Sequence, residues 1–183
     1  MMRTHRLTPV VTGLVVALAF LAPRALSSSP TSEAAPTSFA AAMIPESHHG
    51  SWAGPNRLWM HDPTQPFRSD GTIECTAEGI QYTWSKDDTE HRGTIRLHGQ
   101  PAALRLALED TFHAPTAMNL YGHLEDGVVR TYGTYGAGPD QPEWGWILEL
   151  DWRDPEALVL RMFNVVPDVG AVPAVVLHGT RPS

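Results

Sequence analysis

Residues 144–152 read Trp144-Gly145-Trp146-Ile147-Leu148-Glu149-Leu150-Asp151-Trp152. Trp144, Trp146, Leu148, Leu150 and Trp152 fall on alternate positions, against Gly145, Glu149 and Asp151. A period of two is the pattern of a β-strand with one buried and one wet face. The same pattern recurs outward along the chain. Leu104, Leu106 and Leu108 stand against Arg105 and Glu109, and Leu158, Leu160 and Met162 against Val159 and Arg161. Turn signals separate these runs: Asp62-Pro63, Asp70-Gly71, Lys86-Asp87-Asp88, Gly99-Gln100-Pro101, Asp126-Gly127, Gly138-Pro139-Asp140, Asp154-Pro155 and Pro167-Asp168. Short strands between evenly spaced turns indicate an all-β antiparallel sandwich or barrel of about ten strands.

The chain has 183 residues, 42% hydrophobic and 18% charged, which suits one domain and excludes a modular enzyme. Its 15 glycines and 16 prolines argue against a helical bundle. After a basic start at Arg3 and Arg6, residues 7–22 form an uncharged apolar run that ends at Pro23-Arg24 before small residues. This run is too short for a membrane-spanning helix and reads as a secretory signal over residues 1–27. Residues 28–45, rich in Ser, Pro and Ala, carry too little apolar bulk to order themselves and read as a linker. The β domain is therefore expected over 46–183, in a secreted or periplasmic protein. Removing residues 1–27 takes away Arg3, Arg6 and Arg24 and no acid, leaving 10 basic against 20 acidic groups, a net charge of −10. Such a charge argues against nucleic acid or an anionic membrane as partner. A monomer with a small-molecule ligand is the expectation. Cys75 is the only cysteine, so no internal disulfide is available, and it reads as a packing residue.

If the strands close on themselves, the buried parity carries particular polar and aromatic residues inward. Trp52 shares a face with Asn56, and Ile80 with Tyr82 and Trp84. The leucine face of the strand from Ala102 continues into Asp110 and Phe112, and the Leu158 face into Asn164. Trp52, Asn56, Tyr82, Trp84, Asp110, Trp144, Trp146 and Asn164 would then line an aromatic interior with a few hydrogen-bonding groups. That is the composition of a small-molecule cavity.

The opening Gly50-Ser51-Trp52-Ala53-Gly54 resembles the G-x-W-x-G start of lipocalin-like, calycin-type barrels. The runs Asn56-Arg57-Leu58-Trp59, Tyr82-Thr83-Trp84-Ser85, Asp110-Thr111-Phe112-His113, Gly133-Thr134-Tyr135-Gly136, Glu143-Trp144-Gly145-Trp146 and Phe163-Asn164-Val165-Val166-Pro167 add a further resemblance. Together they resemble a bacterial family called domain of unknown function 1579, across most of residues 50–181. The resemblance implies a closed antiparallel barrel of about ten strands and no established activity. The segment between Glu74 and Tyr82 departs from it by being short.

Asp110 and His113 are the close acid–histidine pair of the inner strand. A carboxylate that orients an imidazole is a way to build a general base. Residues three apart on a flat strand face opposite sides, so the pair meets only at a bulge or a strand end. Three functions stay open: a binding barrel with His113 beside the inner-wall residues, an isomerase or hydrolase using Asp110 and His113, and a structural envelope protein without ligand. Histidine spacing indicates no metal site. His178 lies on the last strand, where haem-binding barrels related to nitrobindin place an axial histidine. No other cofactor is expected.

Overall fold

A computed structural model describes residues 43–60, 62, 64–136 and 142–183. The signal segment 1–27, linker positions 28–42 and the Gly138-Pro139-Asp140 turn lie outside the described residues. A short 3-10 helix, Glu46–His48, precedes ten strands. These are β1 (Gly50–Leu58), β2 (Phe67–Thr76), β3 (Gly79–Lys86), β4 (Thr89–Gln100), β5 (Ala103–Asp110), β6 (Ala114–Glu125), β7 (Val128–Gly136), β8 (Glu143–Asp151), β9 (Ala157–Val166) and β10 (Gly170–Thr180). Each strand pairs antiparallel with its neighbour in the chain, and β1 closes on β10. The protein is a closed antiparallel meander barrel, consistent with a calycin-like fold.

Alternation along the strands dictates the inside. Leu104, Leu106 and Leu108 from β5, Leu148 and Leu150 from β8, and Leu158, Leu160 and Met162 from β9 are all buried. Ile73, Ile80, Ile95, Leu97 and Val129 complete the packed layers. The outer positions between them, such as Arg96, Arg105, Glu109 and Arg130, are exposed. Closure leaves no strand with a free edge along its whole length.

One end of the barrel is plugged. Met43 and Ile44, just ahead of the 3-10 helix, are buried in the core. The Trp52 indole N–H donates to the His48 carbonyl at 2.9 Å, and the His48 ring stacks on Trp52 at 5.4 Å. On the helix side of the plug, His48 Nε2 meets the Asp154 carbonyl at 3.2 Å, while the Arg181 guanidinium lies 4.0 Å from the centre of the Trp52 ring. Trp52 therefore belongs to the closed end.

Two turn readings change. Asp70-Gly71 is no turn but lies inside β2, which reverses at Ala77-Glu78 instead. Gly71 is there for space: a Cβ at this position would come within 2.8 Å of the Thr83 carbonyl and 2.9 Å of Leu177. The register across that turn pairs Cys75 with Ile80 and Glu74 with Gln81. The strand from Ala103 also stops earlier than its leucine face suggests, at Asp110, because the Asp110 side chain caps the turn that follows. Phe112 accordingly sits in that turn with 38% of its surface exposed.

Candidate functional site

At the end opposite the plug, β3, β4, β5, β7, β8 and β9 deliver a cluster of rings and polar groups. Its anchor is Asp110. Tyr82 on β3 is in register with Gly93 on β4, and Gly93 with Asp110 on β5. Because Gly93 has no side chain, the Tyr82 ring lies across it; a Cβ there would stand 2.0 Å from the phenol carbon. The Tyr82 hydroxyl thereby donates to Asp110 Oδ2 at 2.6 Å. The other carboxylate oxygen accepts the backbone N–H groups of Phe112 and His113, both at 2.7 Å, and His113 Nδ1 at 3.2 Å.

Asp110 and His113 do meet, at a strand end where the β5–β6 register shifts between Leu108 and Asp110. The Asp110 side chain is wholly buried and that of His113 is 12% exposed. Burial pushes the Asp110 carboxyl up, yet the hydrogen bond and charge of His113, with the Tyr82 hydroxyl and the His113 backbone N–H, outweigh it and hold the group below its ordinary range. Burial, reinforced by the Asp110 charge, raises the Tyr82 phenol well above its ordinary value. Asp110 is thus an ionised acceptor. The shared hydrogen sits on His113 Nδ1, and Nε2 has no protein partner among the described residues.

Around this pair stand the aromatics. His113 lies 6.1 Å from Trp84 and 5.3 Å from Trp146, ring centre to ring centre. His91 stacks on Trp84 at 4.5 Å, and Phe112 meets both edge-on at 5.2 and 5.0 Å. Tyr135 packs edge-on against Trp146 at 5.8 Å and donates its hydroxyl to Asn164 Oδ1 at 2.5 Å. Trp84 and Trp146 are each 2% exposed, yet neither indole N–H finds an acceptor among the described residues, and Asn56 Oδ1 is likewise buried without a donor among them. A buried donor left unpaired costs about 1–3 kcal/mol.

The mouth also opens sideways. β6 and β7 pair from Glu125↔Val128 to Tyr121↔Tyr132, and the described residues beyond that point do not pair. The split holds a cleft of about 550 Å³ lined by His113, Ala114, Met118, Asn119, Thr134 and Tyr135, among others. His113 and Tyr135 form its inner wall and pack directly on Trp146.

Of the residues singled out from sequence, the structure gathers Tyr82, Trp84, Asp110, His113, Trp146 and Asn164. Asn56 faces inward on β1, but its amide donates to Ser69 rather than to Asp110. Trp144 is only half-buried, at the rim, edge-on to Tyr135 at 6.4 Å. Trp52 sits in the plug. His178 is exposed on the outer wall, in a shallow cleft with Asp151, Arg153 and Asp154, so its imidazole does not face the interior. Sequence reasoning missed Gly93, His91 and Tyr135. The alternation Val129, Thr131, Gly133, Tyr135 was the available signal for Tyr135; Thr and Gly diluted it. No protein-family model matches the chain, and no curated protein matches it.

Proposed function

We propose that this barrel binds a small, partly apolar molecule at its open end, entering through the split between β6 and β7. The observation that carries the reading is the pair of buried indole N–H groups, Trp84 and Trp146, both near His113 and without acceptors among the described residues. A packed, ligand-free core would have matched its donors to its own carbonyls, as Trp52 does. Apolar rings with few polar anchors suit a ligand of modest size. Native mass spectrometry of protein isolated from its natural source tests this. A stoichiometric non-covalent adduct is expected, and exclusively bare protein from gently handled material contradicts it.

The basic, apolar start of the chain supports export, with a mature protein beginning near Ser28 that works as a monomer outside the cytoplasm. Intact-mass analysis of exported protein should show the loss of residues 1–27. Membership of the domain of unknown function 1579 family is supported by the motifs from Gly50 to Pro167, most of which fall on strands of a barrel of the expected size, with Asp110-Thr111-Phe112-His113 at the β5–β6 turn.

A second reading rests on the Asp110–His113 contact of 3.2 Å beside an open cleft. With Nδ1 held by Asp110, Nε2 is the nitrogen left to take a proton from a bound molecule, as an isomerase or hydrolase requires. Turnover abolished in His113→Gln with ligand affinity retained would establish it.

A further inference from the structure

We infer that the ligand of this mouth is an uncharged molecule whose polar end is a carbonyl-type acceptor, received by the indole N–H groups of Trp84 and Trp146. The inference rests on the binding reading above and adds the chemistry of the ligand.

The site offers a ligand few polar groups. Its uncommitted donors are two neutral indoles, both on side chains that are 2% exposed. Its buried carboxylate, Asp110, already accepts four hydrogen bonds on its two oxygens, one of them from the ring of His113. No Lys or Arg is buried among the described residues. Lys86 is tied to Asp87 and sits 5.9 Å above the Phe67 ring, and Arg92 is 74% exposed and paired with Glu90. A carboxylate brought inside would add a second negative charge near Asp110, and the one imidazole beside it, His113, is already engaged by Asp110. A cationic ligand fares no better. Asp110 has zero side-chain exposure, and one face of Trp84 is covered by His91. Indole N–H groups present the positive edge of their rings, which repels a cation and suits a neutral oxygen. A hydrocarbon fits the rings but leaves both donors unpaired. A neutral carbonyl pairs the indole donors and brings in no charge.

Four probes of nearly one shape separate these cases: acetophenone, benzoate, ethylbenzene and phenyltrimethylammonium, each titrated into the full folded protein and followed by the indole N–H resonances in NMR. Acetophenone is expected to bind about tenfold more tightly than the other three, the worth of pairing a buried donor. It should also move the Trp84 and Trp146 indole resonances downfield. Trp84→Phe and Trp146→Phe keep the ring and remove the donor; each should bring acetophenone affinity toward that of ethylbenzene while leaving ethylbenzene unchanged. The ranking in the unmodified protein decides the matter even where a variant folds poorly. Equal binding of acetophenone and ethylbenzene, or tighter binding of benzoate or the ammonium, overturns the inference and leaves the binding reading standing. Failure of all four to bind contradicts the binding reading itself.

Discussion

The Tyr82 hydroxyl reaches Asp110 at 2.6 Å across an entire intervening strand, and it does so because the residue between them in the barrel wall is Gly93. A phenol, a glycine and a carboxylate on three adjacent strands thus form one row. The row fixes Asp110, Asp110 fixes the turn and ring of His113, and His113 stands 6.1 Å from Trp84 and 5.3 Å from Trp146.

Gly93→Ala should break this row. Its methyl group would overlap the Tyr82 ring, and tyrosine is held on both sides by its strand neighbours, so it must leave Asp110. The expected loss is about 2–3 kcal/mol, from overpacking and an unpaired buried acceptor. Urea unfolding of the variant measures it; a change below about 0.5 kcal/mol would mean that Tyr82 moves freely.

Asp110→Asn removes the charge and one acceptor at nearly constant shape. Because the folded carboxyl lies below its ordinary range, its contribution to stability is fully present above the unfolded value near 3.8 and disappears as pH falls through the lower folded value. The variant should therefore be less stable than the parent at pH 7 by about 2 kcal/mol, and the gap should narrow in strong acid. Equal stability at neutral pH, or a gap that widens on acidification, contradicts the assignment of Asp110 as an ionised hub.

Trp146 and Trp144 share a face of β8 but not a depth. Trp146→Ala, at 2% exposure, should destabilise by about 3–5 kcal/mol, whereas the half-buried Trp144 should cost clearly less. Thermal or denaturant unfolding of the two variants gives the comparison, and similar losses would place Trp144 inside the core.

Cys75 is 2% exposed, and burial, with Glu74 adding to it and Arg181 opposing, pushes its thiol up to about 12. Thiolate is the reactive form, so Ellman's reagent at pH 8 should label the folded protein only at the rate of unfolding. Rapid labelling of the native state would show Cys75 to be accessible.

The barrel wall was legible in the sequence because closure makes every strand obey one rule, apolar inward and polar outward. Leu104 to Leu108, Trp146 to Leu150 and Leu158 to Met162 keep their inward positions apolar and buried, although Ala107, Ile147 and Val159 put apolar side chains on the outer face as well. Glycine was not legible. Gly71 looks like half of a turn but serves a close approach of β2 to Leu177, and Gly93 gives no local sign that a ring from the next strand lies over it. Asp110-Thr111-Phe112-His113 continued the leucine parity on paper. An aspartate whose side chain accepts the N–H two residues on was the competing signal, and it prevails here by ending the strand. The plug was hidden for another reason: Met43 and Ile44 stand at the end of a segment whose composition otherwise belongs to a linker.

The central claim is that the mouth holds a molecule where Trp84 and Trp146 lack acceptors, and a high-resolution electron-density map of the natively isolated protein tests it most directly. The account predicts continuous non-protein density larger than a water, beside His113 and within hydrogen-bonding distance of both indole nitrogens. It is contradicted if protein side chains close that space, or if protein carbonyls or a lone water satisfy both donors.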